Sequence, residues 1–191
     1  MLLYTLVTET LGGFIWHFKE FSLYLNDFYY NNNHLIFNIY SLITYLYLYS
    51  IFRKFIKYKT YKRYVFYGAI VFLISNIINA SYSNFFYDSL ILADSIGGVI
   101  LIVCIGLYFK SRKKEGLTYF DSYDILSWIG LGYATFFIGY LPLTFCRYTI
   151  YNFNKMPTEP IFFRPLHFSL IIIMYSLIII GFIRMKRLIY R

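Results

Sequence analysis

Two acidic residues lie where chemistry would be least expected, because Glu9 and Asp94 both fall inside apolar runs. Each opens a similar pentad, Glu9-Thr10-Leu11-Gly12-Gly13 and Asp94-Ser95-Ile96-Gly97-Gly98. In a helix, the glycines at i+3 and i+4 share a face with the acid and let a neighbouring helix approach closely. An ionisable group in hydrocarbon must find a partner or water, so such residues are the first place to look for a site. Asn76 and Asn79 come late in one apolar run, His17 late in the first, and Arg164 and His167 early in the last. With Asp94 as anionic centre, and Arg164, His17 or His167 as partner, these residues would form a polar pocket in the outward third of a bilayer. Glu9 would lie deeper. Asp94 sits six residues into its run, about 9 Å below the end at the helical rise. A second reading stays open: Asn76, Asn79 and Asp94 as hydrogen-bonding glue between helices, worth about 0.6–2 kcal/mol each.

No enzymatic pattern accompanies them. There is no Gly-x-x-x-x-Gly-Lys loop, no His-Glu-x-x-His and no nucleophile elbow. Asp94 has no second membrane aspartate at comparable depth, which argues against intramembrane proteolysis. The expectation is therefore no catalytic residue, no cofactor and no metal. Cys104 and Cys146 fall in the fourth and fifth runs, near opposite membrane faces on the topology below, too far apart for a disulfide, and have no metal-ligand spacing with His17, His34 or His167.

The elements that must position these residues are apolar runs. The chain of 191 residues is 59% hydrophobic, 24% aromatic and only 14% charged. Soluble domains carry about one-quarter charged residues. With a mean hydropathy of +0.55, the apolar surface exceeds what one aqueous core can hide, and lipid is the solvent that resolves the excess. Six stretches are read, at 2–24, 34–53, 64–82, 88–109, 122–146 and 161–183. Most reach the ~20 residues a helix needs to cross the hydrocarbon. The pattern predicts one all-α transmembrane domain over 1–191, an integral membrane bundle of six helices, or five if the first does not span. That first stretch contains Glu9, whose insertion costs about 2.5–3.5 kcal/mol on the scales for charged residues. It lacks the basic flank and cleavage site of a signal peptide. Runs such as Ile171-Ile172-Ile173-Met174 do not alternate as barrel strands would. Pro142 predicts a kink in the fifth stretch, Gly132 and Gly139 a packing face, and Asp121 and Ser122, before Asp124, an N-cap and dipole complement at its start.

Charge sets the direction. Of the 18 lysines and arginines, 14 fall on one side of this topology: Arg53, Lys54, Lys57, Lys59, Lys62 and Arg63; Lys110, Arg112, Lys113 and Lys114; and Arg184, Lys186, Arg187 and Arg191. Lys19, Arg147, Lys155 and Arg164 make up the other side. Positive loops stay cytoplasmic, so all three basic clusters and both termini are expected in the cytoplasm. The net charge of +9 then reads as topology-setting and lipid-facing, with no nucleic-acid binding expected. Arg53, Lys54, Lys57, Lys59, Lys62, Arg63, Arg112, Lys113 and Lys114 are candidate contacts for a protein partner or anionic lipid.

Three segments carry a likeness to known proteins: Asn38-Ile39-Tyr40-Ser41-Leu42, Leu92-Ala93-Asp94-Ser95, and Ser127-Trp128-Ile129-Gly130 with Gly139. In their order along the chain they resemble a diffuse set of small multipass membrane proteins of AT-rich Gram-negative bacteria, which carries no assigned activity. Its acidic helix position is usually glutamate, where this chain has Asp94. The resemblance implies an inner-membrane protein, and a place as a signalling accessory or as a membrane accessory of a defence locus, including RNA-targeting CRISPR systems. The function expected is a non-enzymatic sensor or regulatory accessory acting through a protein partner or self-association. The alternatives are an oligomeric channel or transporter, and a structural subunit of a larger complex. The absence of glutamine also suits an organelle-encoded respiratory subunit.

Overall fold

The computed structural model describes residues 34–85, 88–154 and 162–189, together with Thr10. The stretch 2–24, with Glu9 and His17, lies outside the described residues. Five helices follow one another: α1 His34–Phe55, α2 Lys59–Tyr82, α3 Ile91–Lys114, α4 Ile125–Asn154 and α5 Phe163–Ile189. Among the described residues there is no strand. The five apolar segments within them are 22 to 24 residues long, which at the helical rise is about 33–36 Å, enough to cross a bilayer. By length and composition these are the helices of an integral membrane protein.

The helices run beyond the apolar stretches read from the sequence. Arg53 and Lys54 lie in the last turn of α1, Lys59, Lys62 and Arg63 in the first turns of α2, and Lys110 to Lys114 in the end of α3. They were expected in loops. A helix needs backbone hydrogen bonds rather than apolar side chains, and cations near a C-terminus complement its dipole. α3 stops only where Gly116 takes φ 77°, a left-handed conformation that glycine adopts without a Cβ penalty. Similarly α4 continues through Pro142 to Asn154, across Arg147 to Asn154, where a loop was expected. Residues 147–154 contain no glycine or proline to break it. At its other end α4 begins at Ile125, not 122. Its cap is Asp124: the carboxylate accepts from the backbone N–H of Leu126 (3.2 Å) and Ser127 (3.2 Å). The expected cap at Asp121 and Ser122 is corrected accordingly. Asp121 instead accepts from Tyr123 N–H at 2.9 Å, inside the preceding turn.

α1, α2 and α3 pack together, α4 lies on α3, and α5 lies on α4. The core follows helical spacing: Tyr45, Leu48, Tyr49 and Phe52 of α1 meet Leu101, Cys104, Ile105 and Tyr108 of α3, with Val65 and Phe72 of α2. These recur at i, i+3, i+4 and i+7, the stripe that one helix turns toward its neighbours. Gly97 is pressed by the Phe72 ring, and Gly98 by Phe137 of α4. Gly132 and Gly139 face α5, Gly132 opposite the Met174 carbonyl and Gly139 opposite Leu170. Cys104 is buried and Cys146 exposed, both as free thiols.

Candidate functional site

At the end of the bundle where α1 and α3 begin and α2 ends, the polar residues hold the α2–α3 connection. The Asn38 amide donates to the carbonyls of Phe85 (2.8 Å) and Asp88 (2.9 Å). The Asn79 side-chain carbonyl accepts from Ala93 N–H at 3.1 Å, and its amide donates to Ser83 Oγ at 3.1 Å. Asn76 donates to Phe72 O at 2.9 Å, one turn back on its own helix. Of these, the Asn79 bond to Ala93 satisfies a backbone N–H that the start of α3 leaves orphaned.

Asp94 is shallower than expected. Because α3 starts at Ile91, it stands in the first turn, about 5 Å in at the helical rise. There the N-terminal end of the helix dipole favours a carboxylate. The Ser41 hydroxyl lies within hydrogen-bonding reach of that carboxylate. The Tyr45 hydroxyl donates to Asp94 O (3.0 Å) and the Tyr49 hydroxyl to Gly97 O (2.8 Å). Thr44 Oγ1 is buried without a hydrogen-bond partner among the described residues. Asp94 has no cation paired with it among the described residues. Arg164 and His167 ride on α5, whose Cα atoms come within 8 Å of α4 alone among the described helices. His167 lies against the rings of Tyr140 (5.2 Å) and Phe136 (6.1 Å). The described part of the expected pocket is therefore divided. Asn79, Ser41 and Asp94 gather at the α1–α2–α3 junction, whereas Arg164 and His167 belong to the α4–α5 pair. His17 and Glu9 are outside the described residues.

The most elaborate charged cluster lies at the opposite, basic end. Arg112 reaches from the last turn of α3 to Asp121 (Nη2 to Oδ2, 3.1 Å) and to Asp124 (Nη1 to Oδ2, 2.9 Å). Nη1 also donates to the Tyr108 hydroxyl at 3.1 Å, and that hydroxyl donates to Asp124. The Ser127 hydroxyl completes the set, donating to Asp124 Oδ2 at 2.8 Å. One guanidinium thus joins the end of α3, the 115–124 connection and the start of α4. Its side chain is 14% exposed, so this candidate contact faces inward. The signals were a Tyr108/Arg112 pair at i, i+4 and an Asp124/Ser127 pair at i, i+3, each of which reads as local until the connection folds back. A second tie is simpler. Lys57 pairs with Glu115 at 2.9 Å, and the Ser111 hydroxyl donates to Glu115 at 3.2 Å. The Lys57 ammonium holds the Glu115 carboxyl below the usual carboxylate range.

The other basic candidates remain on the rim. Arg53 stacks over Phe66 (5.0 Å), Lys113 over Tyr119 (4.4 Å), and Lys114 over Tyr61 (4.9 Å) and Tyr58 (5.1 Å). Lys54, Lys59 and Arg63 are exposed, and Lys62 is half-buried. Among the described residues, no group of three His, Cys, Asp or Glu side chains could hold a metal ion. No family model, no curated protein and no solved structure matches the chain.

Proposed function

We propose that the chain is a non-enzymatic membrane module of a bacterial inner membrane, a sensor or regulatory accessory that acts by meeting a protein partner or a second copy through its basic end. In this reading residues 2–24 supply a sixth span, and both termini lie in the cytoplasm. The observation that carries it is the division of labour at the basic end. Arg112 and Lys57 are occupied by Asp121, Asp124 and Glu115, which neutralises the acids of the rim. Lys54, Lys59, Arg63, Lys113 and Lys114 are left outward on a frame that the ion pairs hold in shape. A fixed, one-signed surface is suited to recognising an acidic counterpart, because complementary charge speeds encounter and excludes wrong partners.

The test is native electrophoresis of the tagged protein from its own membranes, solubilised gently, beside a K54A/K59A/R63A variant. The expected result is an assembly larger than the single 23.0 kDa chain that the triple substitution disperses without loss of the folded protein. A lone chain in the unaltered protein, or an assembly indifferent to the substitutions, would overturn the reading.

A further inference from the structure

Beside the Arg112 cluster, the end of α3, the 115–124 connection and the start of α4 enclose a groove of about 370 Å³ lined by Phe109, Tyr119, Phe120, Trp128 and Leu131. Its wall is built rather than incidental. The Trp128 indole N–H donates to Ser122 O at 2.9 Å, and Phe120 meets the Trp128 ring edge-on with centroids 5.0 Å apart. Two cations stand on rings of this same wall: Lys113 over Tyr119 at 4.4 Å and Arg184 over Trp128 at 5.2 Å. Neither is in an ion pair among the described residues. The acids that would otherwise neutralise them, Asp121 and Asp124, are held by Arg112. Phe109 is five residues from the end of α3 and Trp128 is the fourth residue of α4. Both therefore lie about 5–8 Å inside their helix ends, the depth at which aromatic side chains meet lipid headgroups.

We propose that this groove is a binding site for an anionic glycerophospholipid, its acyl chain and glycerol against the aromatic wall and its phosphate held by Lys113 and Arg184. The groove supplies apolar area and the rim supplies uncompensated positive charge, so a headgroup with net negative charge fits and a zwitterionic one leaves the cations half-answered. Stacking on a ring still leaves the in-plane N–H groups of a guanidinium, and those of an ammonium, free to donate to phosphate. This inference requires the chain to lie in a membrane but not the protein partner proposed above.

Trp128 is itself the reporter. The chain has two tryptophans, so a W16F variant leaves Trp128 alone to be quenched by brominated lipid. In phosphatidylcholine vesicles, brominated phosphatidylglycerol is expected to quench Trp128 with about fivefold or greater preference over brominated phosphatidylcholine, the scale of one basic residue at a charged surface. In W16F/K113A/R184A that preference should fall to near unity. Should the triple variant not fold, the W16F chain in 1 M salt, where charge is screened within about 3 Å, should lose the same preference. Equal quenching by both lipids, a preference that survives the substitutions or the salt, or a Trp128 that neither lipid reaches because protein covers it, would each overturn the proposal.

Discussion

Arg112 makes more polar contacts than any other basic side chain described above, and what it holds sets what its loss should do. Removing the guanidinium leaves the Asp121 and Asp124 carboxylates without their shared cation, with the Tyr108 and Ser127 hydroxyls and the backbone N–H groups of Leu126 and Ser127 still donating to Asp124. Asp121 is 38% exposed and water will screen part of the repulsion. R112A should therefore cost about 1–2 kcal/mol, between the values for exposed and buried pairs. Thermal unfolding in detergent checks this, and R112K should fall in between, because an ammonium cannot fork across two carboxylates. Unfolding of R112A at the temperature of the parent chain would show that the cluster does not brace the end of the bundle. Only half of the cluster could be read in the sequence. A capping aspartate near the start of α4 was legible to within three residues, since the pattern of acids before an apolar run is local. The partnership with Arg112 was not, because it crosses a connection whose path no local pattern encodes.

Helices are where the sequence was most legible, and their junctions where it was least. Five of the six apolar stretches coincide largely with described helices, but the helices run on into charge clusters that the sequence pattern reads as loops. The same limit applies to glycine. Gly97 and Gly98 could be read as a close-approach face, yet which neighbour fills it, Phe72 or Phe137, depends on helix order. Gly181 gave no such signal, although it sits against Trp128. A Cβ there would stand 2.5 Å from the Trp128 Cβ, whereas one at Gly106 would have nothing within 4 Å. The two glycines therefore predict opposite outcomes for one chemical change. G181A should force α5 away from α4 and destabilise by about 1–3 kcal/mol, as overpacking does. G106A should stabilise by about 0.5–1 kcal/mol, since alanine restricts the unfolded chain and suits a helix interior. Unfolding midpoints of the two variants decide it, and a G181A chain as stable as the parent would mean that the α4–α5 contact is looser than its geometry.

On the scale of the whole molecule, the direction of the chain follows from the summed charge of each end. The basic rim gathers the end of α1, the start of α2, the end of α3 and the exposed Arg184 of α5. Holding these on one side is the arrangement with the fewest cations to translocate. On the proposed orientation the Asn38 and Asn79 junction faces the periplasm. Cysteine accessibility reads this directly in a C146S background, where the remaining Cys104 is buried. Asn84 and Leu117 are both exposed and lie in connections at opposite ends. N84C should react with an impermeant maleimide on intact cells, and L117C only after the membrane is opened. The reverse pattern would invert the bundle and place the proposed lipid groove in the outer leaflet. A tag before Met1 then separates six spans from five. Protection of the tag in intact cells puts it on the same side as Leu117, which requires residues 2–24 to cross. Exposure of the tag leaves five spans, with residues 2–24 not crossing the bilayer.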